Sequence, residues 1–174
     1  EVLGHTRRSL GEESRRMVLT LADQAMVRDQ TRRRVEDLVR AIAGEGAAAI
    51  TERQALMKLI GTSFGSIKAA IDSKDAAQIK AAEARARAIA FSAAAIPTMF
   101  PKGSDAKAGK TAALDKIWAD PAGFKKASDD FGAATTKLAD ALKSGDAAAA
   151  LAAFGAVGKD GCGACHGPYR AQQN

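Results

Sequence analysis

Two cysteines and a histidine stand close together near the end of the 174-residue chain, in the run Cys162-Gly163-Ala164-Cys165-His166. On a helix, cysteines three positions apart project from the same face, and the histidine follows directly. This spacing is typical of haem attachment, in which each thiol bonds one vinyl group and the imidazole faces the iron. The motif therefore predicts one covalently bound haem c, with Cys162 and Cys165 as thioether residues and His166 as an axial iron ligand.

A redox cysteine pair, a zinc site and a simple disulfide each fit this motif less well. A thioredoxin-like cysteine pair opens a helix in a βαβ unit, and no segment of the chain has the pattern of a convincing strand. A structural zinc site needs about four ligands, whereas the chain has two cysteines and two histidines, and His5 is far from the motif. A disulfide alone would leave His166 without a role.

Composition and charge restrict the class of protein further. Aromatic residues are only 5% of the chain, so small residues must form much of the core, with a haem filling space that aromatic rings otherwise occupy. The net charge of +6 comes from lysines interspersed with acidic residues, and haem propionates would offset part of it. Solvated helix faces explain this pattern better than a nucleic-acid interface, so we expect no nucleic-acid partner.

The sequence also bears on where the protein works. It contains no apolar run of the roughly eighteen residues that a membrane-spanning helix needs, and no recognisable signal peptide. Haem attachment to a motif of this kind requires export. We therefore expect a bacterial, periplasmic protein whose precursor has been processed or truncated.

The composition changes near residue 46. Residues 1–46 contain nine arginines and no lysine, whereas residues 47–174 are rich in lysine and alanine and contain four arginines. Such a shift indicates two units, a helical extension over 1–46 and a haem domain over 47–174. We expect one kinked helix or two short helices in the extension, ending at Gly44-Glu45-Gly46. Packing on the haem domain, docking to another subunit and contact with a membrane surface all remain open as its role.

From Ala47 onward, apolar residues recur at helical spacing and predict four helices. The first helix has the apolar series Ile50, Met57, Phe64 and Ile71, and the second ends at Pro97. An irregular crossover follows as far as Lys116. Asp120-Pro121 starts the third helix, Gly145 ends it, and the fourth runs into the haem motif. We predict an all-α fold, an antiparallel up-down-up-down four-helix bundle with covalently bound haem, plus the N-terminal helical segment.

Residues 47–174 resemble the cytochromes c-prime and their low-spin relatives, in which haem is bound near the C-terminus of a four-helix bundle. The resemblance lies in the following residues: Arg53-Gln54 and Met57 in the first helix, Phe100-Pro101-Lys102-Gly103-Ser104 in the crossover, Ile117-Trp118 before the third helix, and the terminal motif followed by Tyr169-Arg170. It does not extend to residues 1–46.

The resemblance implies roles for several polar residues. Arg53 occupies an apolar position of the first helix, which a haem propionate partner would explain, although an arginine reaching out to solvent is the alternative. Gln54 would add a hydrogen bond on the propionate side. Arg170 lies one helical turn beyond His166, near the proximal face, where its charge would influence ligation or potential. Trp118 is expected to pack beside the haem.

Met57 decides between the remaining functions. Its thioether either ligates the iron as a distal sixth ligand, forms an apolar wall over a five-coordinate iron, or is simply a core residue; the first two arrangements occur in the resembled family. We expect a mono-haem protein with an open or weakly ligated distal side that binds nitric oxide or carbon monoxide, exchanges single electrons, or does both. The alternatives are a low-spin His/Met electron carrier and a haem subunit docked into a larger assembly through residues 1–46.

No catalytic residues are predicted, because the sequence shows no nucleophile and base pair and no acid–base dyad. The partners that this function calls for are a redox partner protein, a small gas ligand, or both. A homodimer or a larger assembly is compatible with the sequence.

Overall fold

The structure is a computed structural model that describes the backbone of residues 2–172 and the side chains of residues 28–34, 37–38 and 44–172. The chain divides into two compact units, Glu1–Ile42 and Ala43–Asn174. The bundle and the candidate site described below belong to the second unit. The division predicted at residue 46, and the role of residues 1–46, stay predictions.

Helices dominate the described residues, which contain no β-strand. The α-helices are α1 (Val2–Asp72), α2 (Ala76–Ala81), α3 (Glu83–Ala93), α4 (Lys116–Ala119), α5 (Pro121–Ser144), α6 (Ala147–Ala156) and α7 (Ala164–Tyr169). A 3₁₀ turn covers Ile96–Met99, and a π-helical segment, Val157–Gly163, joins α6 to α7. The second half of α1, α2 with α3, α5, and α6 with α7 make the four members of the bundle. The prediction of an all-α four-helix bundle is confirmed.

Two helix ends that the sequence predicted, the start of α5 at Asp120-Pro121 and its end at Gly145, are formed by the expected capping residues. The second helix of the bundle ends earlier than predicted, at Ala93, and Pro97 lies in the 3₁₀ turn. The side chain of Asp120 accepts a hydrogen bond from the backbone N–H of Gly123, with Pro121 at the first helical position of α5. Gly145 ends α5 in the left-handed conformation, with a φ of 77°. Asp146 then caps α6 by accepting from Ala149 N at 2.7 Å. These caps fix the short α5–α6 connection, because they provide partners for backbone groups that the helix ends leave unpaired.

The predicted helix end at Gly44-Glu45-Gly46 is wrong, because α1 continues through these residues. Neither glycine adopts a positive φ, so neither has the left-handed conformation that ends a helix. Gly46 is buried, and a Cβ atom added there would collide with the carbonyl oxygen of Gly103 and lie 3.0 Å from Cβ of Ala108. The glycine therefore allows the crossover to approach α1 closely.

Isoleucine, leucine and alanine make most of the core. Ile67, Ile79, Leu138, Leu142 and Val157 are among the side chains that are fully buried. Several core positions hold alanine, which agrees with the small-residue core expected from composition: Ala82, Ala86, Ala93, Ala139 and Ala150. In the described part of the chain, no helix is both long and apolar enough to cross a bilayer.

The close approach at Gly46 generates a stability prediction. We expect Gly46→Ala to lower the free energy of unfolding by about 1–3 kcal/mol, because the added methyl group overpacks the contact with the crossover. Gly61→Ala is the matched control, since Gly61 lies in the same helix with nothing near its Cβ position, and it should gain up to about 1 kcal/mol from helix propensity. Urea unfolding of both variants measures the difference. Equal stabilisation by the two substitutions would show that Gly46 has no packing role.

Candidate haem-binding site

A cavity of about 630 Å³ lies where α1, the crossover and α7 meet. This size falls within the range of ligand pockets, roughly 300–1,000 Å³. Six of the seven predicted site residues line it together: Arg53, Gln54 and Met57 from α1, and Cys165, His166 and Arg170 from α7 and its C-terminal cap. Residues more than a hundred positions apart in the sequence thus share one cavity.

Aromatic and aliphatic side chains form the apolar lining. Phe100, Phe124 and Tyr169 make a continuous edge-to-face series, with ring centroids 4.9 Å and 5.2 Å apart. Ile96 and Ile117 complete this part of the lining. Trp118 packs edge-on against Phe100, and its indole N–H donates to the carbonyl oxygen of Phe100 at 3.0 Å. Trp118 therefore supports the lining from behind rather than facing the cavity.

The two cysteines are half-buried, and neither is in a disulfide. Both pack against the buried core, and Cys165 lines the cavity whereas Cys162 does not. Burial raises the pKa of both thiols. The π-helical segment that carries Cys162 approaches α5 closely at Gly161, where a Cβ atom would lie 3.0 Å from Cδ2 of Phe131. Close packing on α5 thus fixes the turn that presents the cysteines.

His166 lies at the cavity rim, where much of its surface is accessible. Partial burial nevertheless lowers the pKa of its imidazole, and the positive charge of Arg170 lowers that pKa further. Both effects favour the neutral ring, which is the form that ligates metals. The next turn of α7 is anchored as well, because the Tyr169 hydroxyl donates to Oδ2 of Asp120 at 3.0 Å.

Arg53 is buried, with only 4% of its surface exposed, so it does not reach out to solvent. Its Nη1 donates to Oγ of Ser104 at 2.8 Å, and its Nη2 donates to the Ser104 carbonyl oxygen at 2.7 Å and to Oγ1 of Thr111 at 3.0 Å. The guanidinium also lies over the Phe100 ring, 4.5 Å from its centroid. Burial lowers the pKa of Arg53, and these partners compensate the buried charge.

The guanidinium keeps capacity for a further acceptor. Three of its five N–H groups account for the bonds to the crossover, which leaves the Nε–H and one Nη1–H without a bond to that segment. Gln54 also bonds the crossover, through Nε2 to the carbonyl oxygen of Lys110 at 2.9 Å. Its predicted propionate role, like that of Arg53, stays a prediction.

Residues 110–113 were not predicted as site residues, yet all four line the cavity. Ala113 forms an isolated antiparallel bridge with Arg170, so this part of the crossover also reaches the end of α7. The segment has no hydrophobic periodicity, and its partners are distant in the sequence. A threonine between lysine and alanine carries no signal that would have identified it.

The residues present fit a c-type haem. Two unpaired thiols at the right spacing and one imidazole supply the attachment and ligation chemistry. The apolar lining suits the macrocycle, and the cations Arg53, Lys110 and Arg170 suit its propionates. The thioether of Met57, half-buried on the same cavity, is the distal candidate.

Residues 48–170 match the family model described as Cytochrome C'. The chain belongs to the cytochrome c′ family. Membership implies a covalently bound haem c, in a family of haem proteins for electron transfer and gas binding. The predicted family is thereby confirmed, and so is the broad function of a c-type haem protein.

Individual relatives agree with this placement. The cytochrome c′ of Rubrivivax gelatinosus is 38% identical over 123 residues, covering 70% of this chain and 93% of that protein. A solved cytochrome c′ with ligand-controlled dimer dissociation superposes with a TM-score of 0.64 at 31% identity, covering 73% of this chain and 97% of that chain. The nitric oxide complex of a mutant cytochrome c prime from Alcaligenes xylosoxidans superposes with a TM-score of 0.60 at 31% identity, covering 71% of this chain and 94% of that chain.

The buried Arg53 generates a further stability prediction. We expect Arg53→Met to lower the free energy of unfolding by about 2–4 kcal/mol, because charge-assisted bonds to Ser104 and Thr111 are lost and their buried acceptors remain. Arg53→Lys should lose less, since it keeps the charge but not the forked geometry. Arg85→Met, at an exposed position of α3, is the control and should change stability by no more than about 0.5 kcal/mol. Chemical denaturation measures the free energy of unfolding of each variant. Equal losses in Arg53→Met and in the control would contradict the anchoring role.

Proposed function

We propose that this chain is a mono-haem c-type protein with His166 as the proximal iron ligand, and that it binds small neutral gases such as nitric oxide and carbon monoxide beside Met57. Single-electron exchange at the same haem is the second activity of the proposal. The observation that carries it is the shared cavity, which joins Met57 and Arg53 of α1 to Cys165 and His166 of α7. When bound, the haem iron supplies the coordination site for the gas and the redox couple.

Each of the site residues would have its own role in holding the haem. Cys162 and Cys165 would fix the macrocycle covalently, and the neutral imidazole of His166 would hold one axial position. Arg53, with its remaining N–H groups, and Gln54 would hold the propionate side at the rim. Arg170, whose charge already lowers the pKa of the His166 imidazole, would sit on the proximal side.

The apolar lining supports a neutral ligand. An anion or a water molecule entering this part of the cavity would lose hydration without gaining a matched set of hydrogen bonds, whereas a diatomic gas loses little. Met57 would contribute apolar surface over the open coordination position. The nitric oxide complex of the Alcaligenes xylosoxidans relative is a property of that protein and adds support by similarity.

The proposal includes the protein's surroundings. We place it in the periplasm, because covalent haem attachment of this type accompanies export. Its partners would be the gas ligand, a redox partner protein and, by analogy with the relative that forms a ligand-controlled dimer, a second copy of the chain.

The spin state tests the proposal. We expect the isolated protein to be high-spin in both oxidation states by electron paramagnetic resonance and absorption spectroscopy, and to bind carbon monoxide without displacing a protein ligand. Met57→Ala should then change the carbon monoxide affinity by less than about tenfold, because no competing iron bond is removed. Met99→Ala, which removes a thioether that does not line the cavity, is the matched control.

A low-spin spectrum would instead support the His/Met electron carrier. The decisive signature is a methionine-sulfur charge-transfer band that Met57→Ala abolishes and Met99→Ala preserves. In that case the carbon monoxide affinity of Met57→Ala should rise far more than tenfold, since the competent open state becomes fully populated. That pair of results would overturn the open-site proposal.

A further inference from the structure

The part of the crossover at Lys110–Leu114, here called the strap, contacts both α1, which carries Met57, and the end of α7, which carries His166. It follows Gly109 and leads into α4, and its first four residues line the cavity. Its residues have no regular secondary structure apart from the bridge at Ala113. Its position therefore depends on the contacts it makes at its two sides.

Toward α1, the strap is held by two side chains. Gln54 donates through Nε2 to the carbonyl oxygen of Lys110 at 2.9 Å. Arg53 donates through Nη2 to Oγ1 of Thr111 at 3.0 Å. The Thr111 hydroxyl oxygen also accepts from the backbone N–H of Ala113 at 3.2 Å, so one side chain links the guanidinium to the strap's own backbone.

Toward α7, the strap is held by backbone pairing. The N–H of Leu114 donates to the carbonyl oxygen of Tyr169 at 3.0 Å, and the N–H of Ala171 donates to the carbonyl oxygen of Ala112 at 2.8 Å. These bonds flank the bridge between Ala113 and Arg170. Arg170 in turn donates its N–H to the carbonyl oxygen of His166 at 3.1 Å.

The two sets of contacts are too close together to move independently. Thr111 is adjacent to Ala112, and one extended residue spans at most about 3.6 Å. A displacement of Thr111 must therefore be passed to the Ala112–Ala171 bond and to the bridge, with no intervening loop to absorb it. The continuous series runs from Arg53 through Thr111 and the bridge to the backbone of His166.

We propose that Thr111 is a positioning residue for His166, acting through the strap. It fixes the end of α7 relative to the buried guanidinium, so that a change on the Arg53 side alters the orientation of the His166 imidazole. This inference rests on the proposed role of His166 as iron ligand.

Thr111→Val tests it in the haem-loaded protein, because valine keeps the shape of threonine and removes the hydroxyl. We expect hydrogen exchange at the Ala171 and Leu114 amides to accelerate by about tenfold or more, since their bonds to the strap open more often. The Fe–His stretching band in the resonance Raman spectrum of the ferrous protein should shift as well. Thr111→Ser, which restores the hydroxyl, should restore both measurements.

Two further variants keep the outcome decisive. Thr136→Val is the control, because the Thr136 hydroxyl bonds only the carbonyl oxygen of Gly132 within α5 among the described contacts. Gln54→Ala removes the strap's other contact with α1 from an exposed position, and it should accelerate hydrogen exchange at the same two amides. This variant therefore still tests the strap if Thr111→Val fails to fold.

The inference would be overturned if the Ala171 and Leu114 amides exchanged no faster in Thr111→Val than in Thr136→Val. So would faster exchange with an unshifted Fe–His band, because the strap would then not reach the imidazole. Absence of any Fe–His band would instead overturn the proposed function, and the exchange rates would still report separately on the strap.

Discussion

The buried guanidinium of Arg53 is the interaction on which the site depends. A charge with 4% of its surface exposed is tolerable only when its N–H groups have partners, and Ser104 and Thr111 supply them. Because both partners belong to the irregular crossover, satisfying one charge also fixes a segment that has little regular structure of its own. The Phe100 ring beneath the guanidinium joins the same arrangement to the apolar lining. The hydrogen bonds that the buried charge requires therefore help to fix residues that line a largely apolar cavity.

From that anchor the rest of the site follows in physical order. The crossover approaches α1 closely at Gly46, lines the cavity with residues 110–113 and pairs with the end of α7. The haem motif reaches the same cavity because its π-helical segment packs on α5 at Gly161. Cys165 and His166 are therefore brought to the same cavity as Met57 by packing on two sides, with one polar network between them.

The sequence was most informative where a local pattern has one physical meaning. Apolar periodicity predicted the bundle, and Asp120-Pro121 and Gly145 predicted helix ends that the structure confirms. Gly46 was ambiguous, because glycine permits both a left-handed helix end and a close backbone approach, and only the position of Gly103 distinguishes the two. The contacts of the strap could not be predicted, because Thr111 bonds Arg53, 58 positions earlier in the chain, and Ala113 pairs with the distant Arg170.

The central claim is that α1 and the terminal motif hold one haem in this cavity. A crystal structure of the haem-loaded protein tests it most directly. We expect thioether bonds to Sγ of Cys162 and Cys165, the His166 imidazole on the iron, and Arg53 still bonded to Ser104 and Thr111. A haem whose iron is ligated by a residue other than His166, or one bound outside the cavity lined by Arg53 and Met57, would contradict the claim.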